Sequence, residues 1–336
     1  MYQLSKKTFT TSRNYTYTYY LHKSSSSTKP ALVFCHGWPD DAHLWADIVP
    51  ALLPLGFPLV IPDMLGYAGT SKPTDPKEYN SKSMSNDLYE LVDSECFDKI
   101  IPVGHDWGSY MAQRVYLWRP ERCVGLIILN VPYMPPDSSM PFNLDTVLDM
   151  TEKMYGYPSL AYWDVFAADD GPKLLLDNVE NLYHLIHCND ESGPQDEAMK
   201  KVFCVRGATR NLLQTTKSQD VPLKPYARDP AFKKAFIDRM RRDGFEGPQC
   251  WYKAMARNVQ FETEKEISKE NLLIKNPCLY ISSTGDAVCR TDRMEPVKQL
   301  VPDCTIKIVE ANHWNTYEKP EEVREHIATW LKEKYM

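Results

Sequence analysis

The segment KIIPVGHDWGS, residues 99–109, decides the fold. It begins as an apolar run typical of a buried strand, and a helical pattern follows it until Pro120. Between the two, Gly104 and Gly108 enclose Asp106 in the spacing small–x–nucleophile–x–small. Small residues allow a turn so sharp that the middle side chain points into a site. The segment therefore predicts a strand-to-helix turn that presents a carboxylate.

An aspartate at this turn implies a different chemistry from the serine that an esterase carries there. A carboxylate has an ordinary pKa of about 3.9, so it is already ionised at neutral pH. The positive end of the following helix favours that charge. Such a nucleophile suits displacement at an sp3 carbon, and the alkyl ester formed must then be cleaved by water with a general base. The alternative is that Asp106 only caps the helix.

Further strand-like runs place this turn in a larger sheet. Each is short, apolar and typical of a strand buried on both faces of a parallel sheet. They are ALVFCHG at 31–37, FPLVIPD at 57–63, KIIPVGH at 99–105, VGLIILN at 124–130, PCLYISS at 277–283 and TIKIVEA at 305–311. Residues 8–21 predict one or two antiparallel strands, Ser24–Thr28 a polar turn, and Pro320 the first turn of a last amphipathic helix. The predicted class is α/β, a mostly parallel sheet with helices on both faces.

The middle of the chain has a different character. From Pro136 onward the strand-like runs stop, and the sequence becomes helical and rich in aromatic and charged residues. Because strand-like runs flank this region on both sides, we predict one core with a helical insertion. The core comprises residues 1–135 and 261–336, and the inserted helical lid comprises residues 136–260.

Two residues near the C-terminus complete a catalytic constellation with Asp106. Asp286 follows the run ISS at 281–283, and His313 follows the last predicted strand. The order nucleophile, acid, histidine is the one that a nucleophile at a strand-to-helix elbow takes. Asp286 would hold the tautomer of His313 and stabilise its cation, and His313 would activate water.

The stretch HGWP at 36–39 also follows a predicted strand. In a fold of this kind such a loop supplies one backbone N–H of an oxyanion hole, and the residue after the nucleophile supplies the other. The candidate donors are the amides of Trp38 and Trp107. They would stabilise the oxyanion that forms when water attacks the ester.

With these residues the chain resembles the epoxide hydrolases of the α/β-hydrolase superfamily over nearly its whole length. The motifs that carry the resemblance are HGWPD at 36–40, PDMLGYAGTSKP at 62–73, GHDWGS at 104–109, Asp286 and His313. The resemblance implies that a small apolar epoxide is opened to a vicinal diol through a covalent ester on Asp106, without cofactor or metal. Met64 and Leu65 depart from the basic residue more usual in that loop, which we interpret as structural.

The resemblance also implies two lid tyrosines that hydrogen-bond the epoxide oxygen. GPQCWYK at 247–253 assigns one role to Tyr252, although Cys250 and Lys253 replace the more usual asparagine and arginine. AYWDVF at 161–166 suggests Tyr162 for the other role. Tyr155 and Tyr157 remain alternatives.

Two other functions use the same features. A dehalogenase shares the Asp, His and acid but needs N–H donors for a halide. Haloalkane enzymes commonly carry asparagine where this chain has Trp38, and haloacid enzymes tend to carry arginine where it has Trp107, so both positions favour epoxides. The second alternative is a ligand-binding protein of this fold without turnover.

Composition excludes several classes of protein. The 336 residues carry a net charge of -6 without a long run of like charge, which argues against binding nucleic acid. The nine cysteines are scattered without a CxxC pair, as expected in a reducing cytosol. No signal peptide or spanning apolar stretch is visible. His184 and His187 share a helix face but lack further metal ligands. We expect a soluble, cytoplasmic monomer or weak dimer without a metal site.

Overall fold

One eight-stranded sheet forms the centre of the computed structural model, which describes residues 4–24, 28–189 and 197–336. The strands are β1 (Ser5–Thr10), β2 (Thr16–His22), β3 (Ala31–Cys35), β4 (Leu59–Pro62), β5 (Ile100–His105), β6 (Leu126–Leu129), β7 (Cys278–Ser283) and β8 (Cys304–Val309). Their order across the sheet is β1-β2-β4-β3-β5-β6-β7-β8. The pairs β1–β2 and β2–β4 are antiparallel, and all other pairs are parallel.

The burial of the strands agrees with the predicted α/β class except at one edge. Every residue of β3 to β7 is buried, which requires that both faces of these strands be covered. The prediction that residues 305–311 form a strand buried on both faces was wrong. β8 is an edge strand, and Ile308 within it is 54% exposed. The antiparallel pairing predicted for residues 8–21 is confirmed as the hairpin β1–β2.

Five of the α-helices accompany the strands. They are α1 (Val49–Leu52), α2 (Ser81–Ser94), α3 (Trp107–Trp118), α13 (Asn315–Glu318) and α14 (Pro320–Tyr335). Helix α3 packs against β3, β5 and β6, and α14 packs against β7 and β8. The prediction of the last helix is confirmed, because α14 has Pro320 in its first turn and buries an apolar stripe.

The other helices lie between β6 and β7 in the sequence. They are α4 (Leu144–Tyr155), α5 (Trp163–Phe166), α6 (Gly171–Asp177), α7 (Val179–Ile186), α8 (Glu197–Phe203), α9 (Ala208–Thr215), α10 (Pro230–Asp243), α11 (Glu246–Ala256) and α12 (Val259–Glu264). The division into core and lid stays a prediction, and its second boundary at residue 260 falls within α12. Residues 190–196 of the predicted lid and residues 25–27 of the predicted Ser24–Thr28 turn lie outside the described residues.

Buried polar contacts join this helical region to the sheet region. Arg114 on α3 forms two N–O contacts of 2.9 Å with Glu264 on α12, and both side chains are almost fully buried. The Trp251 indole on α11 donates to the carbonyl of Leu65 at 2.9 Å. Removing one partner of such a pair leaves a buried charge or N–H without compensation. Helix α11, which carries Tyr252, is therefore held in a defined position over the core.

Three further predictions from the sequence concern membrane-spanning helices, disulfides and the histidine pair His184 and His187. In the described part, no helix is both long and apolar enough to cross a bilayer. None of the nine cysteines, all of which lie among the described residues, forms a disulfide. His187 hydrogen-bonds the Tyr226 hydroxyl at 2.9 Å and His184 contacts the carbonyl of Val221 at 3.2 Å, so both rings take part in packing within the helical region.

Candidate active site

The turn from β5 to α3 holds Asp106 in an unusual backbone conformation, with φ 56° and ψ -126°. A residue other than glycine seldom adopts a positive φ, so the surrounding chain must impose it. Glycine is required on both sides. A Cβ at Gly104 would lie 2.0 Å from the carbonyl oxygen of Gly108, and one at Gly108 would lie 1.9 Å from that of Cys35. Because neither position carries a side chain, the strand and the helix can approach each other closely, and the Asp106 carboxylate projects from the turn between them.

Backbone amides and a histidine surround the Asp106 carboxylate. Oδ1 accepts a hydrogen bond of 2.9 Å from the amide of Trp38, and the amide of Trp107 also donates to the carboxylate. Nε2 of His313 lies 3.4 Å from Oδ2. Burial alone would raise the pKa of Asp106, but the hydrogen bond and charge of His313 outweigh burial and lower it below its ordinary value. The Asp106 carboxylate is therefore ionised at neutral pH.

His313 lies between two carboxylates. Its Nδ1 is 2.7 Å from Oδ2 of Asp286, on the side of the ring away from Asp106. Burial lowers the pKa of an imidazole, yet the charge of Asp286 and the hydrogen bonds to both carboxylates outweigh it and raise the pKa of His313 to about 10. The residue is thus an imidazolium when Asp106 is a free anion. The three residues predicted from the sequence are brought together.

The groups that hold Asp286 were not predicted from the sequence. Oδ1 accepts from the amides of Val288 at 3.0 Å and Cys289 at 2.8 Å, and Oδ2 accepts from the side chain of Asn130 at 2.8 Å. These bonds and the charge of His313 outweigh burial and lower the pKa of Asp286 to about 2. Asn130 follows β6 with φ 62° and is itself bonded by Asn315 at 2.7 Å. The sequence signal was an asparagine directly after a buried strand.

His105 is fully buried beside the elbow. Its Nε2 lies 2.7 Å from the backbone carbonyl of His313. Burial and the nearby charge of His313 lower the pKa of His105 to about 4, so the ring is neutral. Because a carbonyl only accepts, Nε2 carries the proton and donates it. His105 thus holds the loop that carries His313.

Tyr162 and Tyr252 line the same small cavity as Asp106 and His313, with a volume of about 30 Å³. Both phenols are buried, at 9% and 2% exposure, and their ring centroids are 6.1 Å apart. Burial raises the pKa of each well above its ordinary value, and the charge of Asp106 raises it further. Both phenols therefore remain protonated and can donate hydrogen bonds.

The alternative tyrosines lie elsewhere. The Tyr157 hydroxyl donates to the carbonyl of Ala287 at 3.0 Å, and the Tyr155 ring stacks under the guanidinium of Arg290. Neither lines the cavities beside Asp106. The geometry thus favours Tyr162 as the partner of Tyr252.

A second, larger cavity of about 360 Å³ is also lined by Asp106. It shares Asp106, Tyr162 and Val288 with the small cavity. Its volume is within the range of about 300–1,000 Å³ usual for small-molecule sites. Most of its wall is apolar, from residues such as Val131, Phe142 and Met255.

Comparisons with known proteins agree with this architecture. Bifunctional epoxide hydrolase 2 of Mus musculus is 26% identical over 314 residues, which cover 93% of this chain and 53% of the relative. The chain thus spans about half the length of that relative. Epoxide hydrolase srdG of Neurospora crassa is 26% identical over 343 residues, 96% of this chain and 93% of the relative. The crystal structure of Epoxide Hydrolase A from Mycobacterium thermoresistibile superposes with a TM-score of 0.79 at 21% identity, covering 98% of each chain.

A family model gives the broadest match. The model described as the alpha/beta hydrolase fold matches residues 30–320, which include every strand from β3 to β8 and all the site residues above. Because this match covers most of the sequence, the chain belongs to the alpha/beta hydrolase fold family.

Proposed function

We propose that the protein is an epoxide hydrolase that works through a covalent ester on Asp106. The observation that carries the proposal is the placement of an ionised carboxylate and two protonated, buried phenols around one cavity. The carboxylate supplies the nucleophile, and the phenols supply the acid that an epoxide needs at its departing oxygen. The epoxide hydrolases among the relatives support the same reaction.

In the first stage a carboxylate oxygen of Asp106 attacks one epoxide carbon. The carbon–oxygen bond on that carbon breaks, and its electron pair stays on the epoxide oxygen. Tyr162 and Tyr252 hydrogen-bond this oxygen, and one of them transfers a proton to it. The imidazolium of His313 then donates a proton to the phenolate that results. The stage ends with a hydroxyalkyl ester on Asp106, two neutral phenols and a neutral imidazole.

The second stage depends on the change of charge at Asp106. Esterification removes the anion that lies 3.4 Å from Nε2 of His313, so the pKa of His313 falls and its neutral form can act as a base. Water transfers a proton to Nε2 and attacks the ester carbonyl. The amides of Trp38 and Trp107 stabilise the resulting oxyanion. The intermediate collapses by breaking the bond to the alkoxide oxygen, which takes the remaining proton of the attacking water from the new carboxyl group, so the diol leaves and the Asp106 anion is restored beside the His313 imidazolium.

Dehalogenation is the second candidate, and one observation favours it. The indole N–H of Trp38 is buried without a hydrogen-bond partner in the described part of the chain, and the Trp38 ring lines the small cavity. A halide ion leaving from carbon needs such a donor. The two phenols favour the epoxide, because a halide requires no proton to depart.

One assay separates the two reactions. The protein is incubated with styrene oxide and, separately, with 1-bromobutane, and the diol and bromide are measured. We expect diol from the epoxide and no bromide above the spontaneous rate. Bromide without diol would replace the proposal with dehalogenation. Neither product, from protein shown to be folded by circular dichroism, would leave ligand binding as the function.

The variant Tyr252→Phe tests the role of the phenols. Loss of one proton donor is expected to slow ester formation about 100-fold while ester hydrolysis changes little, since the phenol acts only on the epoxide oxygen. Single-turnover measurements by rapid quench and mass spectrometry separate the two rates. Tyr155→Phe is the matched control, because Tyr155 lies outside both cavities. Equal slowing of both stages would contradict the assignment.

A further inference from the structure

The wall of the larger cavity includes a charged side chain that has no role in the proposed reaction. Among its lining residues only Asp106 and Arg293 are charged. The His313 imidazolium forms ion pairs with Asp106 and Asp286, whereas Arg293 forms no ion pair with a carboxylate in the described part of the chain. Arg293 belongs to the helical turn Thr291–Leu300 and is half-buried.

Neighbouring carboxylates do not neutralise Arg293. The adjacent residue Asp292 pairs with Arg290 at 2.8 Å. Within residues 4–24, 28–189 and 197–336, no carboxylate forms an ion pair with Arg293. A cation without a counter-ion beside a mostly apolar cavity is energetically unfavourable unless an anion binds next to it.

The geometry of the guanidinium defines the kind of anion. Nη1 of Arg293 donates to the carbonyl of Val288 at 2.9 Å, which fixes one end of the group. The Nε and Nη2 donors form the free edge, and two parallel N–H donors match the two oxygens of a carboxylate. The same Val288 lines both cavities, so this contact also fixes Arg293 relative to the nucleophile.

The two cavities differ in the size of the group that each can hold. The small cavity of about 30 Å³ has room for only one or two waters or a group of similar size. The larger cavity has room for an apolar chain or ring. An epoxide with its reactive carbon at Asp106 therefore carries a small substituent on one side and a large substituent on the other.

We propose that Arg293 is a specificity-determining residue that selects terminal epoxides whose larger substituent ends in a carboxylate. This inference rests on the proposed function and names its substrate class. The apolar part of the substituent fills the larger cavity, the carboxylate binds the free edge of Arg293, and the oxirane lies between Asp106 and the two phenols.

The test compares terminal epoxy carboxylates of different chain lengths with their primary amides, which have nearly the same shape without the charge. For the best chain length, we expect kcat/KM for the acid to exceed that for the amide by about 10- to 100-fold. In Arg293→Met the ratio should fall to about one, and Arg293→Lys should keep part of it. A distortion of the loop that changes kcat/KM equally for the acid and the amide leaves their ratio unchanged.

Arg257→Met is the matched control. Arg257 is an exposed arginine that pairs with Asp169 and lines neither cavity, so its loss should leave the ratio unchanged. An acid-to-amide ratio near one in the wild type, or a ratio that survives in Arg293→Met, would overturn the inference.

Binding without turnover separates this inference from the proposed function. Calorimetry measures the affinity of saturated carboxylates that lack the epoxide, with the matching amides as reference. Tighter binding of the acid that is lost in Arg293→Met supports the anion site even if no epoxide is opened. Turnover of neutral epoxides together with equal affinity for acid and amide would keep the proposed function and remove the role of Arg293.

Discussion

Replacement of Asp106 by alanine is expected to reduce diol formation at least about 10,000-fold, because no other group in the site can form the ester. Alanine keeps the β-carbon at a position where φ is 56°, so the backbone changes little. It also removes the acceptor of the Trp38 amide and the anion beside His313. The measurement is the rate of diol formation at saturating epoxide, with intact mass recorded in parallel. No adduct should form.

A surface carboxylate provides the control for this variant. Asp93 on α2 is half exposed and pairs with Arg122, so Asp93→Ala should retain the wild-type rate. Circular dichroism and thermal unfolding establish that both variants are folded. Retention of more than a few percent of the activity in Asp106→Ala would show that another nucleophile, or direct attack by water, opens the epoxide.

Replacement of His313 by glutamine is expected to stop the reaction after its first stage. The ester on Asp106 should accumulate, with a mass increase equal to the mass of the epoxide, because no base remains to activate water. Ester hydrolysis should slow at least about 100-fold, whereas ester formation should slow less. Intact-mass spectrometry after rapid mixing follows the adduct, and peptide mapping should locate it on Asp106.

The pH dependence of the wild type supplies an independent test of the same step. Asp286 and Asp106 together raise the pKa of His313 to about 10 in the free protein, and loss of the Asp106 charge lowers it in the ester. Ester hydrolysis in the wild type should therefore rise with pH through a pKa below that of the free protein. The residual hydrolysis in His313→Gln should lack this rise. An unchanged mass of His313→Gln, with an epoxide that the wild type turns over, would exclude the covalent route.

The positions of the main site residues could be predicted because parallel topology converts sequence order into proximity. Asp106, Asp286 and His313 each follow a strand, and the carboxyl ends of parallel strands share one edge of a sheet. Asn130 also follows a strand, yet nothing in its neighbours distinguishes it from an ordinary turn residue. Its role emerges only when β6 lies between β5 and β7, an order that the sequence does not state.

Features that depend on long-range packing could not be predicted. The pattern in residues 305–311 resembles a central strand, but the place of β8 at the edge of the sheet leaves Ile308 exposed. The choice of Tyr162 over Tyr155 and Tyr157 depends on how the helices between β6 and β7 pack above Asp106. Arg293 likewise lacks an ion pair because the adjacent carboxylate, Asp292, pairs with Arg290, and the sequence does not show which of the two arginines Asp292 contacts.

The close contacts at the elbow have a consequence for how the chemistry of this protein could be altered. Gly37 belongs to the same set, since a Cβ there would lie 2.4 Å from the Asp106 side chain. Any side chain at Gly37, Gly104 or Gly108 would clash with the backbone of the elbow or with Asp106 and so disturb the hydrogen bond from the Trp38 amide to Asp106. The Asp106 side chain instead points into the small cavity, where the size of the cavity and the contacts of the side chain, and not a clash with the backbone, limit what can replace it. A designer could therefore exchange the attacking atom by a single substitution, while the three surrounding positions admit no alternative without rebuilding the scaffold.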